Sequence, residues 1–237
     1  MGGRVLITRP EPGAARTSKR LQALGFKPVC LPLTEIRPTF AELPAGNDFD
    51  AVAFPSANAV RHAQPALLRA VAGLPAFAVG RATAEAAADA GFESPTIGPG
   101  YGQGLATLMT SRLARGTRVA YLCGHVRTRG FEETLRAAGI EVIPVEVYDT
   151  VMLDYSDEEL RAVLGNEAFD TVLLYSHVAV RAFLKLTDRS VMLPLLDRAT
   201  LICMSERVAE PLSSFGGERI RIAAEPDEEA MLARLAG

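Results

Sequence analysis

The sequence predicts an α/β fold: parallel sheets with helices on both faces, formed by a chain that repeats itself. Three observations carry this. Short apolar runs alternate with helix-like segments along the 237 residues. Several of the helix-like segments stop at a glycine. Residues 49–61 align without gaps on residues 169–181, with seven of the thirteen pairs identical.

The strong apolar runs are 5–7, 51–54, 76–79, 119–122, 171–174 and 201–204, and weaker ones are 28–33, 141–148 and 219–223. They are short, continuous and bounded by turn residues, as buried parallel strands are. Segment 15–24 ends at Gly25, 83–90 at Gly91 and 131–138 at Gly139, where a left-handed helix cap belongs. A second alignment supports the repeat. Arg4-Val5-Leu6-Ile7 resembles Arg118-Val119-Ala120-Tyr121, and Leu21-Gln22-Ala23-Leu24-Gly25 resembles Leu135-Arg136-Ala137-Ala138-Gly139. The two offsets, 114 and 120 residues, are nearly equal, so the chain reads as a duplication of roughly 4–113 and 118–235. Strands alternating with helices imply parallel sheets covered on both faces. Segments 32–39 and 145–150 break the rhythm at equivalent places and are candidate interdomain crossings.

Composition excludes several classes. Hydrophobic residues make up 49% and charged residues 22%, as in ordinary globular domains rather than disordered chains. A net charge of −3 argues against a nucleic-acid binder, which carries a basic surplus. Cys30, Cys123 and Cys203 form no C-x-x-C pair, so neither a disulfide framework nor a zinc knuckle is expected, and a reducing cytoplasm fits. The start carries no apolar signal region and no stretch is long and apolar enough for a membrane span. Three lysines and three histidines leave little for Schiff-base chemistry or a histidine metal site.

In open parallel sheets, ligands bind beyond the carboxyl ends of the strands. The turns there read Thr8-Arg9-Pro10, Pro55-Ser56-Ala57-Asn58, Gly80-Arg81-Ala82-Thr83, Cys123-Gly124-His125, Tyr175-Ser176-His177 and Ser205-Glu206-Arg207. A hydroxyl before a helix can cap it. The same geometry aims backbone N–H groups and the positive dipole end at a cleft, which suits carboxylates or phosphates. The run 98–104 is glycine-rich but lacks G-K-[ST], so it reads as a loop entering a helix at 105–113 rather than a P-loop. No G-x-S-x-G elbow supports a hydrolase. His62 and His125 read as surface or turn residues, and the acidic runs 157–159 and 227–229 as solvated helix starts. Tyr148 lies in the second candidate crossing, where its phenol either serves a ligand or packs at a seam.

The ordered set Thr8-Arg9-Pro10, Phe54-Pro55-Ser56-Ala57-Asn58-Ala59-Val60, Val79-Gly80-Arg81-Ala82-Thr83-Ala84, Cys123-Gly124, Val147-Tyr148-Asp149-Thr150, Tyr175-Ser176 and Ala224-Glu225-Pro226 resembles the uroporphyrinogen-III synthase family over nearly the whole chain. The resemblance implies two flavodoxin-like parallel-sheet domains joined by a two-stranded linker. Domain 1 is then discontinuous, 1–34 plus 152–237, and domain 2 spans 38–146, with linkers near 34–39 and 146–151. It implies closure of linear hydroxymethylbilane to uroporphyrinogen III with inversion of the last pyrrole ring and loss of water. No metal or organic cofactor is implied. The expected partner is the linear tetrapyrrole, with no nucleic acid and no membrane, bound by a cytoplasmic monomer. Tyr148 is the expected catalytic residue, assisting departure of the hydroxyl. Thr8, Arg9, Ser56, Ala57, Asn58, Gly80, Thr83, Gly124, Ser176, His177 and Ser205 are the expected substrate-binding positions.

The sequence departs from the family pattern in its last third. The usual Ile-Gly-x-x-Thr-Ala stands here as Cys203-Met204-Ser205-Glu206-Arg207-Val208-Ala209, and Pro55 replaces a usual threonine. Two further readings stay open at this point: a two-lobed module that closes on an anionic small molecule without chemistry, and a regulatory domain of the same fold.

Overall fold

A computed structural model describes residues 2–236 apart from 45, 47 and 128. The elements run β1 (Arg4–Ile7), α1 (Gly13–Ala23), β2 (Lys27–Cys30), β3 (Thr34–Pro38), β4 (Ala51–Phe54), α2 (Ala57–Arg61), α3 (Pro65–Val71) and β5 (Ala76–Ala78). Next come α4 (Arg81–Asp89), β6 (Thr96–Ile97), α5 (Gly102–Thr110), β7 (Arg118–Gly124), α6 (Gly130–Ala137) and β8 (Glu141–Met152). The last stretch holds α7 (Asp157–Leu164), β9 (Thr171–Leu174), α8 (His177–Thr187), α9 (Leu193–Leu196), β10 (Thr200–Cys203), α10 (Glu206–Ala209), β11 (Ile220–Ile222) and α11 (Glu228–Ala233). The chain divides into two units, Met1–Glu35 with Val151–Gly237 and Ile36–Thr150. β3 and β8 carry it from one unit to the other.

The sheet of the first unit runs β11-β10-β9-β1-β2, with every neighbouring pair parallel. Numbered within the unit, that is the flavodoxin order 2-1-3-4-5. The second sheet runs β3-β8-β7-β4-β5-β6, and its pairs from β8 to β6 are also parallel. Leaving out the linker strand β3, it has the same spatial order entered at a different strand. β1-α1-β2 pairs with the late strands β9 to β11, and β7-α6-β8 with the early strands β4 to β6. Each sheet therefore joins the front of one repeat to the back of the other. The registers agree with the alignment: Val5 lies opposite Thr171 in one sheet and Val119 opposite Ala51 in the other.

The identical residues of the repeat make equivalent interactions. The Arg4 amide donates to Asp170 Oδ2 at 2.6 Å, and the Arg118 amide to Asp50 Oδ2 at 2.8 Å. The Arg4 guanidinium lies 4.2 Å from the centre of the Phe169 ring, and Arg118 lies 6.0 Å from that of Phe49. The Phe-Asp pair thus serves the strand beside it: the carboxylate takes the first amide and the ring carries the arginine.

Both faces of each sheet are apolar. In the first unit Leu6, Val172, Leu174 and Leu201 point to one core, and Val5, Ile7, Leu173 and Ile202 to the other. In the second, Val52, Phe54, Ala120 and Leu122 face one layer, and Ala51, Ala53, Val119 and Tyr121 the opposite one. This alternation on both faces is why the strands read as continuous apolar runs. Gly25, Gly91 and Gly139 follow their helices at φ of 83°, 95° and 78°, the left-handed caps that the sequence predicts.

The glycine-rich run differs from the expectation of a loop up to residue 104. β6 precedes it, and α5 begins at Gly102. The Gly98 amide donates to Ala78 O at 2.8 Å and that of Gly100 to Val79 O at 2.7 Å. The run is therefore strapped along the end of β5, which leaves little loop before the helix.

Candidate active site at the strand ends of the second unit

The strand order of each sheet reverses at one place, between β1 and β9 in the first unit and between β7 and β4 in the second. Ligands of open parallel sheets bind outside the carboxyl ends at such a point. In the second unit the chain leaves β4 through Pro55 and Ser56. Ser56 has extended backbone, φ −161°, and its Oγ accepts from the Ala59 amide at 3.3 Å, capping α2. Ala57 and Asn58 open that helix, so their amides are among those an α-helix leaves without an intrahelical partner.

β7 ends at Gly124, and a bulge there shifts its register with β8. Cys123 lies opposite Glu146, but Gly124 lies opposite Tyr148. Bulges re-aim side chains, and this one sets the Tyr148 ring against Gly124. A Cβ on Gly124 would lie 2.6 Å from Tyr148 Cε2 and 2.7 Å from Cζ. Only glycine leaves room for the ring. The phenol oxygen then reaches Ser56 Oγ at 3.1 Å.

Burial raises the Tyr148 pKa, with the Ser56 hydrogen bond pulling the other way. At neutral pH the phenol keeps its proton and is a hydrogen-bond donor. The His62 ring, just past the end of α2, sits 6.2 Å from the Tyr148 ring at an angle of 48°. Burial, reinforced by Arg61, lowers its pKa and favours neutral imidazole. Cys123 is buried at the end of β7 and its thiol is pushed up to about 12, so it is no thiolate nucleophile.

Gly80 is the N-cap of α4, with no side-chain cap. Thr83 is buried in the first turn of that helix rather than capping it. His125, expected at the surface, is exposed, and its Nδ1 lies 2.8 Å from Glu146 Oε2. The sequence reads His62 as another surface residue; it is half-buried and joins the Tyr148 seat. Nothing in its sequence neighbourhood signals this, because the contact is made by β8, 86 residues downstream.

The corresponding turns of the first unit are built differently. Thr8 is buried and its hydroxyl donates to Leu173 O at 2.6 Å, back into the sheet. Arg9 lies over the Tyr175 ring at 4.5 Å, and its Nη1 donates to Glu228 Oε1 at 2.9 Å. Glu228 also accepts from Arg20 at 3.0 Å, from the Tyr175 hydroxyl at 3.4 Å and from the Thr17 hydroxyl. The sequence predicts that the acidic run at the start of α11 is solvated. Glu228 is instead the hub of an ion-pair network, because the helix packs against α1 and the turn after β1. Burial works against its charge, but the Thr17 bond and the two arginines outweigh it and lower its pKa.

Ser176 caps α8, accepting from the Ala179 amide at 3.1 Å, as Ser56 caps α2. His177 is the exposed first residue of α8. Ser205 stands at the N-cap of α10, and its side chain does not cap the helix. Val208, where the family pattern has threonine, is buried in the core with Leu212 and Phe183.

These site residues fall on motifs spread along the whole chain, and comparison with known proteins covers the same extent. The family model described as uroporphyrinogen-III synthase HemD matches residues 15–233. A curated uroporphyrinogen-III synthase from Salmonella typhimurium is 29% identical over 243 aligned residues, which cover 98% of this chain and 99% of the relative. Among solved structures, uroporphyrinogen-III synthetase from Helicobacter pylori 26695 superposes with a TM-score of 0.68 at 22% identity, over 100% of this chain and 99% of that one. A mutant uroporphyrinogen III synthase from the extremely thermophilic bacterium Thermus thermophilus gives 0.58 at 17% identity, over 99% and 98%. The structural likenesses show a shared fold, and the family match spans both units. The chain belongs to the uroporphyrinogen-III synthase family.

Proposed function

We propose that this chain closes linear hydroxymethylbilane to uroporphyrinogen III, with inversion of the last ring and loss of water, and that Tyr148 supplies the proton. The observation that carries the proposal is the phenol at the switch point of the second sheet, seated on Gly124 and 3.1 Å from Ser56 Oγ. Ser56 Oγ already accepts from the Ala59 amide, so its own hydrogen is free to point at the phenol oxygen. Tyr148 then accepts from Ser56 and donates outward.

In the reaction the C–O bond of the terminal hydroxymethyl group breaks. The phenol proton leaves with the hydroxyl as water. The proton released when the attacked pyrrole regains aromaticity returns to the phenolate, so the enzyme ends as it began. A phenol held protonated by burial suits this donor role. A module that only binds has no need of such a group. Backbone amides at the starts of α2 and α4 suit the carboxylates that the substrate carries. Selecting the ring conformer that inverts is then mostly a matter of positioning. The enzyme is read as a cytoplasmic monomer that uses no metal or organic cofactor and binds no nucleic acid. Among the described residues no helix is long and apolar enough to cross a membrane.

The test is Tyr148→Phe, assayed on freshly generated hydroxymethylbilane with separation of type I and type III isomers. The ring still fills its seat, so KM and melting temperature stay close to wild type. One donor at a developing charge is worth about 3–4 kcal/mol, so kcat for the type III isomer falls by two to three decades. Wild-type kcat in this variant removes Tyr148 from the mechanism.

A further inference from the structure

The register of Tyr148 depends on a bulge, and a bulge needs something to hold it. The turn beyond β7 runs from Gly124 through His125 towards α6. Arg127, two residues further, folds back over it. Its Nη1 donates to Gly124 O at 3.3 Å, to His125 O at 3.2 Å and to Glu146 Oε1 at 2.7 Å, sharing two hydrogens among three acceptors. Its Nε donates to Glu132 Oε1 at 2.8 Å. One guanidinium thus ties together the bulged turn, β8 and α6.

The partners are themselves anchored. Glu132 has a side chain only 8% exposed and also accepts from Arg136 at 2.7 Å. Glu146, two residues before Tyr148 on the same strand, is held on its other oxygen by His125. The His125 amide donates to Tyr148 O at 2.9 Å. The bonds therefore form a closed circuit: Arg127 to Glu146, along β8 to Tyr148, across to His125, and back to Arg127. Gly124, on which the ring rests, lies inside it. Burial opposes the Arg127 charge, but the Glu132 and Glu146 bonds outweigh it, and both carboxylates are held below the usual range.

The geometry points to Arg127 as a positioning residue for the reaction: it locks the bulged turn Gly124–His125 in the register that seats the Tyr148 ring, and acts through Tyr148 without touching the substrate. The effect on turnover rests on the reading of Tyr148 as the proton donor. The effect on the ring does not.

The experiment separates the two. 3-Fluorotyrosine placed at position 148 reports the ring by 19F NMR, and its titration reports the phenol. In Arg127→Gln the resonance shifts or broadens and the phenol pKa moves towards that of free 3-fluorotyrosine. kcat for the type III isomer falls roughly 10- to 100-fold, as expected for a misplacement of about 1 Å, with KM little changed. Arg127→Lys keeps the charge but not the fork that spans the turn and both carboxylates, so it restores the melting temperature and not the resonance. It also serves if Arg127→Gln does not fold. Added to Tyr148→Phe, either change costs no further turnover. An unmoved 19F resonance in a folded Arg127 variant overturns the proposal, as does a full, additive loss of kcat in the Tyr148→Phe background. If Tyr148→Phe turns over like wild type, the donor reading fails, and the 19F resonance still decides whether Arg127 seats the ring.

Discussion

Gly124→Ala adds one methyl group at the point where the Tyr148 ring lies on the backbone. The new Cβ would stand 2.6 Å from Tyr148 Cε2, 2.7 Å from Cζ and 3.0 Å from the phenol oxygen. Carbon atoms pack at about 3.5–4.0 Å, so the ring must withdraw by roughly 1 Å. Gly124 is not among the glycines with positive φ, so alanine suits its backbone and the cost is steric alone. Such overpacking costs about 1–3 kcal/mol of stability. The same withdrawal stretches the 3.1 Å contact with Ser56 beyond hydrogen bonding and displaces the donor. A displacement of that size is worth about 100-fold in rate. The assay is type III formation from hydroxymethylbilane beside thermal melts of Gly124→Ala, Tyr148→Ala and the double variant. Without the ring there is no clash, so Gly124→Ala destabilises far less in the Tyr148→Ala background. Wild-type turnover and melting in Gly124→Ala would refute the packing argument and, with it, the reason for glycine at this position.

Ser56→Ala and Ser176→Ala each remove a helix cap worth about 1 kcal/mol, and melts of the two should fall alike. Isomer analysis should separate them: Ser56→Ala also removes the partner of Tyr148 and lowers kcat by up to about tenfold, one hydrogen bond of ~1 kcal/mol, while Ser176→Ala leaves the second unit intact. Glu228→Gln leaves Arg9 and Arg20 without their shared carboxylate and costs about 1.5–3 kcal/mol at neutral pH, read by urea unfolding. The folded pKa of Glu228 is lowered, so its contribution is complete above the ordinary carboxylate value of 4.5 and lost as pH falls through the folded value. The acid side of the stability–pH curve is therefore flatter in Glu228→Gln than in wild type, and an unchanged slope would show that the network is worth little.

The strands were legible because they are buried on both faces. Runs such as 51–54 and 171–174 leave no alternation to confuse with a helix, and the glycines past α1, α4 and α6 mark the caps. The repeat was legible because its identities do a job: Asp50 and Asp170 each take the first amide of a neighbouring strand. The two-residue β6 was missed because it is too short for any period, and it is defined only by its pairing with β5. Tyr148 was singled out by its place in the second candidate crossing, but its seat was not visible. That seat depends on a register shift at Cys123/Gly124, on Ser56 in the turn after β4 and on His62 beyond α2, and none of these lies near it in sequence. Arg127 was invisible for the same reason. Its four acceptors come from β7, the turn after it, β8 and α6, and an arginine three residues past a strand carries no motif.

Two units with one strand order do not offer two equivalent sites. The turns at the switch point of the first unit hold Thr8, Arg9 and Tyr175, more polar chemistry than the second unit offers there. That chemistry is spent inside the fold. Thr8 donates to the β9 backbone, Arg9 pairs with Glu228 over the Tyr175 ring, and the Tyr175 hydroxyl faces the same carboxylate. A charged ligand would have to displace Glu228 to reach Arg9, with a second arginine already committed to that carboxylate. What the first unit still presents at these turns is the backbone at the caps of α8 and α10, with the exposed His177 beside it. In the second unit, among the described residues, the phenol oxygen of Tyr148 has one hydrogen-bond partner, the Ser56 hydroxyl, whose oxygen also caps α2 by accepting from the Ala59 amide. A neutral donor with a proton to give is left there, on a glycine that admits nothing larger. One plan of sheet and turns thus yields a unit whose side chains hold themselves together and a unit that, on the proposed reading, keeps the Tyr148 phenol for chemistry. The difference comes from a few residues at the strand ends, with the strand order unchanged.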